Sequence, residues 1–184
     1  YGYGKTAKEP ASGEDAGYQA YLGEWTLSGQ STGADWGAPV TYDLRIEQLV
    51  ENYSFLVYGW SGASFGEEHP FIMNYNPDTQ GVYVMAPQHF GSLPEDPESE
   101  LVFGGLILYG ATDYLTFCYD APEVIFEGSL QGDALTLFGR TVDVQGVPYD
   151  YRSMNYVALS SDLSGVSRLD GAESDAIYFR ISRK

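Results

Sequence analysis

The stretch Tyr18-Gln19-Ala20-Tyr21-Leu22-Gly23-Glu24-Trp25-Thr26-Leu27-Ser28-Gly29 decides the architecture. Tyr18, Tyr21 and Leu22 recur at helical spacing and Gly23 stops them, which predicts one helical turn laid against an apolar surface. Beyond the glycine the period drops to two. Trp25 and Leu27 fall on one face while Glu24, Thr26 and Ser28 fall on the other, the pattern of a half-buried strand.

The same alternation returns in Tyr42, Leu44 and Ile46 against Asp43, Arg45 and Glu47. The runs 54–60, 70–75, 81–88, 101–109 and 115–119 are apolar on both faces. A strand of that kind needs a core on one side and a helix, loop or neighbouring chain on the other. Runs 124–130, 134–138, 149–158 and 177–182 complete the series. Hairpin chemistry joins neighbours: Asn76-Pro77-Asp78-Thr79-Gln80-Gly81 combines a fixed proline torsion with a late glycine, and Gln131-Gly132-Asp133 suits a tight turn. Strands at this spacing, with no long amphipathic helix between them, predict an all-β chain. Spacing admits a barrel or a sandwich, and the expected form is a single antiparallel meander barrel of about 8–10 strands with a short N-terminal helical turn. Residues 1–17 lack a periodic apolar pattern and are expected to be a flexible leader, leaving 18–184 as one barrel domain. Segment 160–175 has room for a short helix packed outside.

At 184 residues and 43% hydrophobic content the chain can bury one substantial core. Nine basic against 26 acidic side chains give a formal charge of -17, which repels phosphate backbones and anionic lipid surfaces and argues against nucleic acid as a partner. The three lysines, Lys5, Lys8 and Lys184, lie at the chain ends, and no Lys or Arg occurs between Arg45 and Arg140. A trypsin-like protease would find no site across that span, which fits a protease-rich exterior. A lone Cys118 excludes an internal disulfide and reads as a small core hydrophobe, since no basic residue stands near it in sequence to lower its pKa. No run of about 18 apolar residues is present, and the first residue is Tyr1, as in a processed form.

Gly23-Glu24-Trp25 resembles the Gly-x-Trp signature that opens lipocalins and related calycin barrels. The resemblance implies that Trp25 closes the barrel floor and stacks under a basic side chain from a late strand, Arg180 or, failing it, Arg152. More narrowly, Tyr21-Leu22-Gly23-Glu24-Trp25-Thr26-Leu27-Ser28-Gly29, then Tyr58-Gly59-Trp60-Ser61-Gly62, then Asn74-Tyr75-Asn76-Pro77-Asp78-Thr79-Gln80-Gly81-Val82-Tyr83-Val84, looks like the lipocalin-like domain of secreted Bacteroidetes lipoproteins. That similarity implies a secreted or outer-surface location and a membrane tether only through a lipid anchor upstream of this chain. It implies no reaction.

Candidate chemistry is sparse. His69 and His89 are the two imidazoles. Glu67-Glu68-His69 supplies metal-type donors, but adjacent residues seldom converge on one ion, and no metal site is expected. Glu95, Asp96, Glu98 and Glu100 form an acidic run with Pro94 and Pro97, which reads as a solvated loop. Asn74, Asn76 and Asp78 follow a calcium-loop alternation without its glycine or distal glutamate, so a plain turn is expected. No catalytic or cofactor motif stands out.

Aromatic residues remain. Trp60, Phe71, Tyr83, Phe117, Tyr119 and Tyr151 sit in or beside strands, and a closed sheet of about eight strands is either filled by such side chains or holds one small ligand. The leading expectation is a non-catalytic secreted or surface-tethered barrel that binds a small hydrophobic or amphipathic molecule such as a lipid, sugar or aromatic. The alternatives are a structural or protein-interaction module, and a calycin-type enzyme using His69 or His89 with a carboxylate.

Overall fold

The computed structural model describes residues 15–32, 36–108, 115–118, 122–162, 166–167 and 176–184. A single turn α1 (Ala16–Gln19) leads into β1 (Gly23–Ser31), β2 (Pro39–Val50) and β3 (Ser54–Tyr58). A short α2 (Ala63–Glu68) follows, then β4 (Phe71–Asn76), β5 (Gly81–Ala86), β6 (Gln88–Leu93), β7 (Asp96–Leu108) and β8 (Leu115–Cys118). The chain continues through β9 (Glu123–Gln131), β10 (Ala134–Gly139), β11 (Thr141–Val144), β12 (Val147–Ser160), β13 (Val166–Ser167) and β14 (Ala176–Arg183).

Eight of these strands close an antiparallel barrel in the order β1, β2, β3, β4, β5, β9, β10, β14 and back to β1. Taken in chain order, each barrel strand pairs with the next, so the expected up-and-down meander is present. Two excursions interrupt it. The chain leaves after β5 and returns at β9, and leaves again after β10 and returns at β14. Because strands in a meander alternate direction, both excursions start and end at the same mouth of the barrel. There β6, β7, β8, β11, β12 and β13 form a second, six-stranded sheet. This sheet departs from the expected single barrel, and it answers the demand of the doubly apolar strands: Leu101, Phe103 and Ile107 of β7 join the main core, while Val102 and Leu106 meet Val157 and Leu159 of β12 on the other face.

The helical turn starts two residues earlier than the sequence pattern predicts. Asp15 caps it, accepting from the backbone N–H of Gly17 at 2.8 Å and of Tyr18 at 3.2 Å, so the turn is held from Asp15 onward. Both predicted hairpin turns form, Asn76 pairing with Gly81 and Gln131 with Ala134. An unpredicted third joins β11 to β12 through Gln145 and Gly146, with φ of 53° and 83°, the two positive torsions that a tight hairpin turn favours. At the point where β10 leaves the barrel, Gly139 passes beneath β12 so closely that a Cβ there would overlap the Tyr151 carbonyl oxygen. In segment 160–175, β13 is the described element, pairing with the end of β12; the rest of that expectation, like residues 1–14, lies outside the described residues.

Candidate functional site

The floor of the barrel is built from the α1 turn and the start of β1. Trp25 is fully buried and donates its indole N–H to the Tyr21 carbonyl at 2.9 Å. Tyr18 stacks on Phe55 with centroids 4.3 Å apart and meets Tyr75 edge to face at 5.4 Å. The Tyr18 hydroxyl donates to the Ser54 carbonyl and the Tyr21 hydroxyl to the Gln80 carbonyl, each at 2.7 Å. Tyr75 donates to the Asp15 carboxylate, which ties the helix cap to β4. Burial raises the Tyr18, Tyr21 and Tyr75 pKa values above the ordinary phenol range, and the neighbouring Glu51 and Asp15 charges add to the effect at Tyr18 and Tyr75 respectively.

The basic partner of Trp25 is Arg183, which corrects the expectation of Arg180 or Arg152. Its guanidinium lies over the indole at 4.2 Å, and Trp25 pairs with Arg183 directly in the β1–β14 ladder. Arg183 also donates to the Leu22 carbonyl at 3.4 Å and to the Ala20 carbonyl, satisfying backbone oxygens at the end of the α1 turn. Arg180 pairs with Ser28, one side-chain step out of phase with the buried Ile181, and therefore points outward. Arg152 is likewise exposed.

Among the described residues the second sheet covers the opposite mouth. Trp60 donates its indole N–H to the Met154 carbonyl of β12 at 2.8 Å and meets Phe71, Phe103 and Phe179 edge to face. Phe71 stacks on Phe103 at 4.3 Å. Ser61 donates to the Asn155 side chain and Tyr156 to the His69 carbonyl, so three side-chain hydrogen bonds join segment 60–69 to β12. Arg45 holds α2 from the outside through a bidentate pair with Glu67 at 3.0 and 2.7 Å, its guanidinium 4.3 Å from the Tyr58 ring centroid.

The six aromatic candidates do not share one pocket among the described residues. Trp60, Phe71 and Tyr151 are buried to within 3% of their surface. Tyr151 gives its hydroxyl to Glu123 and lays its ring where a side chain on Gly105 would stand. Tyr83 stands on the outer barrel face. The backbone of Phe117 pairs with Leu106, while the Phe117 and Cys118 side chains and all of Tyr119 lie outside the described residues. A void of ligand size leaves its lining side chains open to a water-sized sphere. Trp25, Leu27, Phe55, Met73, Tyr75 and Val84, which point to the axis, each keep 1% or less of their surface accessible.

His69 offers Nδ1 to the Phe65 carbonyl at 3.0 Å and stacks on the Phe65 ring at 4.6 Å. His89 stands on the surface with Nδ1 2.6 Å from Glu100 and its side chain 54% exposed. Glu67 of the Glu67-Glu68-His69 run is committed to Arg45, whose hydrogen bond holds its carboxyl below the usual range. Among the described residues no three His, Cys, Asp or Glu side chains converge as metal ligands.

Sequence reasoning missed a concavity on the outside of the barrel. Tyr83 of β5, Glu127 of β9 and Phe138 of β10 are direct cross-strand neighbours in one row. With Asn76, Thr79, Gly81 and Ser129 they line an open groove of about 480 Å3. Phe138 is 64% exposed and forms the apolar part of the groove wall. The signal was its alternation: Leu135 and Leu137 take the inward places of β10, which leaves Phe138 facing out. No protein-family model, curated protein or solved structure matches the chain. Among the described residues the chain is a closed antiparallel β-barrel, packed at both ends, with an aromatic groove on its outer wall.

Proposed function

We propose that the chain is a non-catalytic, lipocalin-like binding domain of a secreted or surface-tethered lipoprotein, and that it recognises its ligand on the outer wall rather than along the barrel axis. The observation that carries this reading is the burial of axial side chains between two capped ends, set against the exposure of Phe138 on the outer face. The net charge of -17 favours uncharged or cationic ligands over nucleic acid and anionic lipid.

Titration with N-phenyl-1-naphthylamine and with laurate tests it. The expected result is no saturable dye emission and no quenching of Trp60. Stoichiometric uptake of either probe with Trp60 quenching would overturn the reading in favour of an axial ligand. A protein-interaction role is the second reading, favoured by Tyr178 at 63% and Val147 at 48% exposure. Light scattering of the purified chain tests it: a stable oligomer supports this reading, and a strict monomer argues against it.

A further inference from the structure

We infer that the groove formed by Tyr83, Glu127 and Phe138 is a carbohydrate subsite, a reading that rests on recognition at the outer wall. The polar groups of the groove are already oriented by local hydrogen bonds, and those bonds use one kind of capacity. Asn76 Oδ1 accepts from the Asp78 N–H at 2.9 Å, so the amide nitrogen carries the free donors. Thr79 Oγ1 accepts from the Gly81 N–H at 3.2 Å, and Ser129 Oγ accepts from Gln131 Nε2 at 3.1 Å, which leaves both hydroxyl protons to give. Glu127 takes one hydrogen bond from Arg140 through Oε2 at 3.1 Å and keeps Oε1 as an acceptor. The groove thus offers donors at Asn76, Thr79 and Ser129 and a carboxylate acceptor at Glu127, side chains already held in part by local hydrogen bonds, which lessens the ordering that opposes binding.

The ligand must match that inventory. A hydroxyl-rich molecule both accepts and donates at each oxygen, and a pyranose adds an apolar C–H face for the exposed Phe138 ring. A fatty chain would leave the donors unmatched, and a phosphate or sulfate would meet the Glu127 carboxylate. Tyr83 and Phe138 stand two strands apart, about 10 Å at the usual spacing, which is the length of a disaccharide. The neutral or amino disaccharides are therefore the class that fits.

Saturation-transfer NMR on the intact chain with cellobiose, N,N′-diacetylchitobiose and lactose tests the assignment, each at about 20 mM to cover the millimolar Kd of an open site. Transfer is expected to the ring C–H protons of at least one sugar, weakened about tenfold in Phe138→Ala and kept in Phe138→Trp, a position exposed enough for both variants to fold. Absence of transfer for all three sugars, or equal transfer in Phe138→Ala, overturns it. If the sugars fail and N-phenyl-1-naphthylamine also stays unbound, the carbohydrate assignment falls while the outer-wall reading stands. If that dye enters and quenches Trp60, both fall.

Discussion

Replacing Arg183 by alanine should loosen the barrel floor more than the same change at Arg180 of the same strand. Its guanidinium stacks on a fully buried indole at 4.2 Å, a contact that contributes about 1 kcal/mol where one side of the cation still meets water. It also satisfies the Ala20 and Leu22 carbonyls, and each of those hydrogen bonds adds about 0.5–1 kcal/mol after allowance for exposure. Together the loss is about 2–3 kcal/mol, which for a chain of this length lowers Tm by about 4–12 °C. Arg183→Lys keeps the charge but not the planar fork, and should recover about half. Differential scanning calorimetry of Arg183→Ala beside Arg180→Ala provides the comparison, because Arg180 projects outward from the same strand. Equal Tm values for Arg183→Ala and the parent, or a larger drop for Arg180→Ala, would refute the assignment of the floor.

Three further outcomes follow from the packing. Gly139→Ala should cost about 3 kcal/mol or more, since the new methyl overlaps the Tyr151 carbonyl and either β10 or β12 must move; urea unfolding measures it. Trp60→Phe should cost about 2–4 kcal/mol by stranding the buried Met154 carbonyl and leaving a gap, with the loss again read in urea. Tyr18, Tyr75 and Tyr156 hold their phenol protons more tightly folded than unfolded, through burial first. The folded chain therefore binds more protons above the ordinary phenol pKa of about 10, and stability falls as pH rises beyond that value while remaining intact below it. Ultraviolet titration should show part of the tyrosine absorbance change arriving together with unfolding. A single smooth transition near pH 10 with the fold intact would contradict this.

Much of the barrel was legible because its signals are local. The change of period at Gly23 marked the floor, and alternation placed β1 and β2 with the correct faces inward. The second sheet was half visible: run 101–109 declared that it needed cover on both sides, but periodicity carries no information about which distant strand supplies it, and run 149–158 gave no such sign. The expected last strand, 177–182, stops one residue short of Arg183, so the expectation of Arg180 or Arg152 did not reach it. The alternation of Ile177, Phe179 and Ile181 continues to Arg183, one step further, on the buried face. A bulge beside Tyr178, whose φ is 50°, obscures the upper part of that pattern. Among the described residues the aromatic candidates Trp60, Phe71, Tyr83 and Tyr151 do not share one pocket, for a related reason. Side-chain type names what a pocket can be made of, whereas Trp60, Phe71 and Tyr151 were drawn into the junction between sheets that only the tertiary fold creates.

Hydrogen exchange of the three indole N–H groups, followed by NMR under native conditions, tests the closed-barrel account most directly. Trp25 and Trp60 mark the two capped ends, each donating to a buried carbonyl, and Trp36 lies in the loop between β1 and β2. Closure at both ends predicts that the Trp25 and Trp60 protons exchange only through global unfolding, orders of magnitude more slowly than in an open chain. Exchange of either one within minutes, at a pH where the barrel backbone amides remain protected, would mean that an end stands open to solvent and that the axis is accessible to a ligand after all.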